Sequence, residues 1–175
     1  MRDVGDVLRE TGLRPELLEL EITESILIED TPRVMVTISE LKTLDVRLSI
    51  DDFGTGYSSM AYLKRFAVDK LKIDQSFVMG MLTNQQDAAI VKSVIGLAHT
   101  LQMRATAEGV ETHDIVDALR AAGCDEAQGY YFAMPSSPED LEALLMKNTC
   151  SCHPAARSNN PLNTQSHFCS GDSNV

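Results

Sequence analysis

With 175 residues, 43% of them hydrophobic, the chain holds enough apolar material for one ordinary domain and its core, so it is neither disordered overall nor fibrous. Fifteen basic residues against 26 acidic ones leave a net charge of -11, which argues against a phosphate-neutralising surface and hence against a nucleic-acid polymer as partner. No apolar run is long enough to span a bilayer and the N-terminus carries no secretory signature, so no membrane span and a cytoplasmic location are expected.

In chain order, Asp3–Thr11 places Val4, Val7 and Leu8 on one helical face and stops at Gly12. Leu17–Thr23 reads as a strand, and Thr31-Pro32 opens a helix that runs to Leu44. Val46–Asp51 is the next strand, Tyr57–Phe66 a helix, and Asp69–Asp74 a third strand. A long helix over Asp87–Leu101, a strand over Arg104–Glu108 and a helix over Thr112–Ala122 follow. A fifth strand is expected over Glu126–Phe132 and a last helix over Ser137–Met146. Five alternations of strand and helix imply parallel strands joined by right-handed crossovers.

Parallel strands covered on both faces normally read as continuous apolar runs. Here one parity is polar: Glu19, Glu21 and Thr23; Arg47, Ser49 and Asp51; Lys70, Lys72 and Asp74; Thr106 and Glu108; Glu126 and Gln128. The other parity, with Leu48, Ile50, Leu71, Ile73, Ala105 and Ala107, would meet the helices. A polar face shared by five strands fits the lumen of a (β/α) barrel better than an open sheet, and barrels place their active sites at the C-terminal strand ends. Scattered structural ion pairs are the plainer alternative.

The stretch Leu48–Ser59 carries the strongest chemical signal. A strand ends in Asp51-Asp52 and passes through Phe53-Gly54-Thr55-Gly56 toward a helix; adjacent carboxylates repel unless a cation or proton separates them. An N-capping Asp in a solvated loop would account for the same residues. Several carboxylates with no histidine among them suit Mg²⁺ or Mn²⁺, and a metal pair sharing Asp51 would serve phosphoryl transfer, with Lys72 orienting a water. A glycosidase-like carboxylate pair explains neither Lys72 nor the glycines.

Five segments then resemble, in order and spacing, the motifs of EAL-domain cyclic di-GMP phosphodiesterases: Glu21-Ile22-Thr23-Glu24-Ser25, Asp51–Ser59, Lys72–Val78, Ala107–Thr112 and Gln128–Phe132. The resemblance implies a TIM-like barrel and hydrolysis of cyclic di-GMP to linear pGpG with Mg²⁺ or Mn²⁺. Carried over by the same resemblance, Glu21, Asp51, Asp52 and Glu108 match metal ligands and Lys72 the residue that holds the hydrolytic water. Asp74 matches a residue near that water, Glu24 the anchor of the loop after Asp52, and Glu111 and Gln128 supporting or substrate-contacting positions.

The family's signature Glu-Ala-Leu segment and an Asn ligand lie upstream of what is matched. The expectation is therefore an incomplete TIM-type barrel of five parallel strands over residues 1–146, with a disordered tail over 147–175. Poor hydrolysis by the isolated chain is expected too, and the partners implied are cyclic di-GMP together with a homodimer mate or an N-terminal segment in trans. A non-catalytic cyclic di-GMP or partner-binding module and a truncated product without function stay open beside the enzyme. Cys150, Cys152, His153, His167 and Cys169 in the tail fit no common zinc-finger spacing, and the four cysteines form no disulfide framework.

Overall fold

The computed structural model describes residues 3–26, 31–56, 63 and 67–149. Five strands, β1 (Glu19–Thr23), β2 (Arg47–Phe53), β3 (Lys70–Ile73), β4 (Arg104–Ala107) and β5 (Glu126–Ala127), form one sheet in sequence order, with every neighbouring pair parallel. The helices are α1 (Val4–Thr11), α2 (Thr31–Lys42), α3 (Gln75–Gly80), α4 (Gln85–Thr100), α5 (His113–Ala121) and α6 (Pro138–Thr149). Sequential parallel order is that of consecutive strands in a (β/α) barrel; a doubly wound sheet would reverse direction at a switch point.

The curvature of the sheet is proved by one side chain. Glu19 on β1 and Glu126 on β5 stand four strand spacings apart, roughly 19 Å across a flat sheet. Both nevertheless reach the ammonium of Lys70 on β3, at 2.8 and 2.6 Å. The polar face is therefore concave, as in a barrel lumen. On the convex face Leu48, Ile50, Leu71, Ile73, Ala105 and Ala107 are wholly buried and share one core with Val91 and Ile95 of α4 and Val116 and Leu119 of α5. Leu63, alone within the helix expected over Tyr57–Phe66, is buried in that core; the rest of that helix and the expected tail from 150 onward lie outside the described residues.

The strands are registered at their N-terminal ends by a device used twice. Asp69, just before β3, accepts a hydrogen bond from the Leu48 backbone N–H of β2 at 2.8 Å and pairs with Lys42 from the end of α2 at 2.9 Å. Asp125, just before β5, accepts one from the Ala105 N–H of β4 at 2.8 Å and meets His99 in the last turn of α4 at 2.9 Å. Each aspartate thus ties the strand before it to the helix that leads into that strand.

Four expectations are corrected. The fifth strand ends at Ala127 rather than Phe132, because β4 ends at Ala107 and the chain turns at Gly109 (φ 67°). Beyond that point the Val110 N–H donates to Gln128 O, and Gly129 lies so close that a Cβ there would fall 2.2 Å from Val110 O. Asp74 is not the last strand residue but the N-cap of α3, an additional helix, with its carboxylate accepting from the Ser76 N–H at 3.0 Å. Phe53, expected in the glycine loop, is the last residue of β2 and part of the core. The last helix runs to Thr149, three residues past Met146.

Replacing Asp125 by Ala leaves the Ala105 N–H without its acceptor and should cost about 1–3 kcal/mol in urea denaturation. His99→Ala, which removes only a half-exposed ion-pair partner, should cost no more than about 1 kcal/mol. Equal losses from the two substitutions would show that the backbone bond does not set the register.

Candidate active site

Adjacent residues of a regular strand point to opposite faces, so Asp51 and Asp52 can face one site only if the strand is irregular. β2 is irregular at that point. Ile50 is paired with Leu71 and Phe53 with Ile73, three steps against two, which places a bulge at the two aspartates. Asp52 takes φ 54°, a left-handed conformation that aspartate tolerates better than most residues. The bulge turns Asp52 back toward Asp51, and one carboxylate oxygen from each of Asp51, Asp52 and Glu108 lies within 4.8 Å of the others.

Beneath this group stands Lys72, whose side chain is 6% exposed. Its ammonium lies 2.6 Å from Glu21, 2.7 Å from Glu108 and 2.9 Å from Asp51. Burial alone would push the lysine toward neutrality, but the three carboxylates outweigh it and raise its pKa well above the ordinary lysine range. Glu108 is held above the usual carboxylate range, chiefly by burial and further by the charges of Asp51 and Glu21, against the opposing pull of Lys72. Asp52 is raised by desolvation and by the charges of Asp51 and Asp74.

The donor set fits divalent cations. Asp51 Oδ1 is buried with the Lys72 ion pair at 2.9 Å and no well-aligned hydrogen bond among the described residues, so it keeps capacity for a cation. The three converging carboxylates and Glu21 outnumber the single ammonium of Lys72, so the site is short of positive charge. Oxygen donors without nitrogen or sulfur suit Mg²⁺ or Mn²⁺. Glu21 shares Lys72 with this cluster but is not one of its three converging residues.

A cleft of about 540 Å³ opens above the carboxylates, lined by Asp52, Asp74, Glu108, Glu111 and Gln128. The Gln128 amide donates to Glu108 Oε1 at 2.7 Å, the oxygen that also meets Lys72, so Gln128 fixes the orientation of that carboxylate. Asp74 is turned partly aside by its hydrogen bonds to the Ser76 backbone and hydroxyl. Gln75, Tyr130 and Met134 line the same cleft without having been singled out from the sequence. Tyr130 lies inside the Gln128–Phe132 motif, but only the short β5 and the turn after it show that it faces the cleft.

The plainer alternative of structural ion pairs is realised one layer lower. There Lys70 meets Glu19 and Glu126, while Glu126 also takes Arg104 at 3.0 Å and Thr106 at 3.1 Å. Burial would raise the Glu126 pKa, but Lys70 and Arg104 outweigh it and hold the carboxyl below its usual range. Cys124 belongs to neither layer; burial pushes its thiol up to about 12, so it is no thiolate at neutral pH.

Glu24 is 3% exposed and organises the loop that follows the aspartates. Its Oε2 accepts from the Gly54 N–H at 3.0 Å and the Gly56 N–H at 3.3 Å, and its own N–H donates to Asp51 O. Gly54 has φ 102° and Gly56 lies against the carboxylate, where a Cβ would come within 3.1 Å of Glu24 Oε1. Thr55 closes the turn by donating its hydroxyl to Asp52 O at 2.9 Å. Glu24→Ala should therefore speed amide exchange at Gly54 and Gly56 by about tenfold or more, read by hydrogen-exchange mass spectrometry, the loss of about one hydrogen bond's worth of protection. Unchanged exchange would remove Glu24 from the loop's support.

Comparison with known proteins places this geometry. The EAL domain family model matches residues 1–135. Cyclic di-GMP phosphodiesterase NbdA of Pseudomonas aeruginosa is 40% identical over 158 residues, which are 90% of this chain and 20% of that protein. The solved complex of PaMucR phosphodiesterase with c-di-GMP has 40% identity and a TM-score of 0.77, covering 79% of this chain and 56% of that one. The manganese and cyclic di-GMP complex of Klebsiella pneumoniae BlrP1 at pH 9.0 has 35% identity and a TM-score of 0.69, covering 74% and 33%. The chain thus spans about a fifth of the curated relative's length, and across the part it spans, in sequence and in fold, it belongs to the EAL domain family.

Proposed function

We propose that this chain carries the metal-binding and water-orienting part of a cyclic di-GMP phosphodiesterase, which opens the cyclic dinucleotide to linear pGpG. The observation that carries the reading is the convergence of Asp51, Asp52 and Glu108 beside a buried, fully charged Lys72. Asp51, Asp52 and Glu108, with Glu21 at their flank, would hold Mg²⁺ or Mn²⁺. Such ions would offset phosphate charge and activate water at neutral pH.

The chain's own residues would do the rest. Lys72, in ion-pair contact with Glu21 and Glu108 of the cluster, would orient the water. Asp74, partly engaged by Ser76, lies across the cleft where it can accept from that water. Gln128 keeps Glu108 aimed inward, and Glu111 and Gln128 line the space where a nucleotide would rest. The remaining steps are attack of the water on phosphorus, cleavage of one phosphoester bond and departure of the sugar hydroxyl with a proton. They leave one linear dinucleotide with a terminal phosphate.

The same reading assigns the domain to the cytoplasm, and no helix among the described residues is long and apolar enough to cross a membrane. A strand supplied by a second copy or by an N-terminal segment in trans would pair with the outer edge of β1, which has no strand partner among the described residues. An adjoining apolar groove, lined by Ile22, Ile26, Val34, Ile38 and Leu41, supports that pairing. A non-catalytic nucleotide-binding role would use the same cleft and is separated from the enzyme by turnover alone.

Three measurements bear on this. Asp51→Asn should weaken Mn²⁺ binding by more than the ~10–100-fold that follows loss of a residue merely supporting a ligand. Unaltered affinity would sink the assignment. Mn²⁺ must displace protons from Asp52 and Glu108, whose pKa values lie above the usual carboxylate range, so affinity should fall as pH drops through that raised range and recover above it. Production of pGpG with Mg²⁺ or Mn²⁺ should be abolished by Glu108→Ala and should rise when a polypeptide carrying the Glu-Ala-Leu segment is added. Turnover indifferent to Glu108 would point to a contaminating enzyme.

A further inference from the structure

The second lysine of β3 has no role in the site as described. Lys70 and Lys72 are two residues apart on one face, so their layers stack about 6.6 Å apart along the strand. Between them lies a cavity of about 180 Å³ lined by both lysines and by Glu19, Glu21 and Glu126. Lys72 is therefore walled from the lower carboxylates by open space rather than by packed side chains. Those lower carboxylates are engaged by Lys70, at 2.8 and 2.6 Å.

We propose that Lys70 is a positioning residue: by engaging Glu19 and Glu126 it leaves the Lys72 ammonium to Glu21, Asp51 and Glu108. Without the charge of Lys70, Glu126 keeps Arg104 and Thr106, whereas the Glu19 side chain has no other ion pair among the described residues. A partly buried carboxylate stripped of its partner is costly; of the cations near Glu19, Arg47, its registered neighbour on β2, is exposed to water, whereas Lys72 lines the same cavity as the carboxylate and can swing down to it. Drawn down into the cavity, Lys72 releases Asp51 and Glu108. The metal ligands then lose a competing ammonium while the water-orienting group leaves the cleft. Metal affinity rises as positioning fails, the reverse of what simple loosening of the sheet would do.

This inference rests on the metal-site reading above for one of its two measurements. The first is Mn²⁺ titration of the full chain, followed by electron paramagnetic resonance. Lys70→Met should bind Mn²⁺ about tenfold more tightly than the unaltered chain, since one positive charge moves several Å away from the ligands. Lys70→Met combined with Glu19→Gln preserves net charge and removes the stranded carboxylate, so it should return to within about twofold of the unaltered chain, as should Lys70→Arg. Equal or weaker binding by Lys70→Met, or a double variant that binds as tightly as Lys70→Met, overturns the proposal. If Lys70→Met does not fold, Lys70→Gln takes its place in both measurements. The second measurement is a metal-free crystal structure of the Lys70 variant. Lys72 Nζ closer to Glu19 than to Asp51 supports the proposal, and an unmoved Lys72 refutes it. If the unaltered chain binds no Mn²⁺, the metal-site reading falls, and the position of Lys72 decides this inference alone.

Discussion

Everything at the open end of the sheet depends on one buried ammonium. Lys72 is surrounded by carboxylates from β1, β2 and the end of β4, and its buried charge depends on theirs, as the partly buried charges of Asp51 and Glu108 depend on it. Desolvation works against the lysine, and the carboxylates overcome it; desolvation and mutual repulsion work against Glu108 and Asp52, and one lysine is not enough to overcome them. The imbalance is the chemical content of the site. It leaves the cluster short of positive charge, and Asp51 Oδ1 buried without a hydrogen bond.

The energy to sustain such a cluster comes from the other side of the same strands. Leu48, Ile50, Leu71 and Ile73 alternate with the charged residues and are removed completely from water, each contributing about 1.5–3 kcal/mol of burial. The same period of two therefore builds core and site together. Backbone irregularity is confined to the C-terminal rim: the bulge at Asp51 and Asp52, the left-handed turn at Gly109, and the tight approach of Gly129 to Val110. Away from that rim the register is plain and secured by Asp69 and Asp125. Unusual geometry where ligands are presented, and ordinary geometry elsewhere, is the distribution expected of a functional site.

The two lysine layers also reconcile two readings of the polar strand face that the residues left open. The lower layer is a balanced set: Lys70 and Arg104 against Glu19 and Glu126. The upper layer is unbalanced. Charged residues of the same kinds, at the same spacing and on the same strands, are balanced in one layer and short of positive charge in the other. The difference is the count of opposite charges within reach.

The sequence by itself determined the alternation of strand and helix, the face of each strand that meets the core, and the motifs at the strand ends, because a strand's period of two and a helix's of 3.6 are local properties of the chain. It reached Glu24 as the anchor of its loop only through family resemblance. Tertiary structure alone decided that Asp51 and Asp52 face the same way, since a bulge is defined against the neighbouring strand and has no signature in Asp51-Asp52 themselves. It decided that β5 stops at Ala127, since the partner that would have extended it turns away at Gly109. It also decided that Lys70 and Lys72, alike in type and parity, head different layers. Which carboxylates reach a given ammonium depends on the curvature of the sheet, and curvature is summed over all five strands rather than written in any one of them.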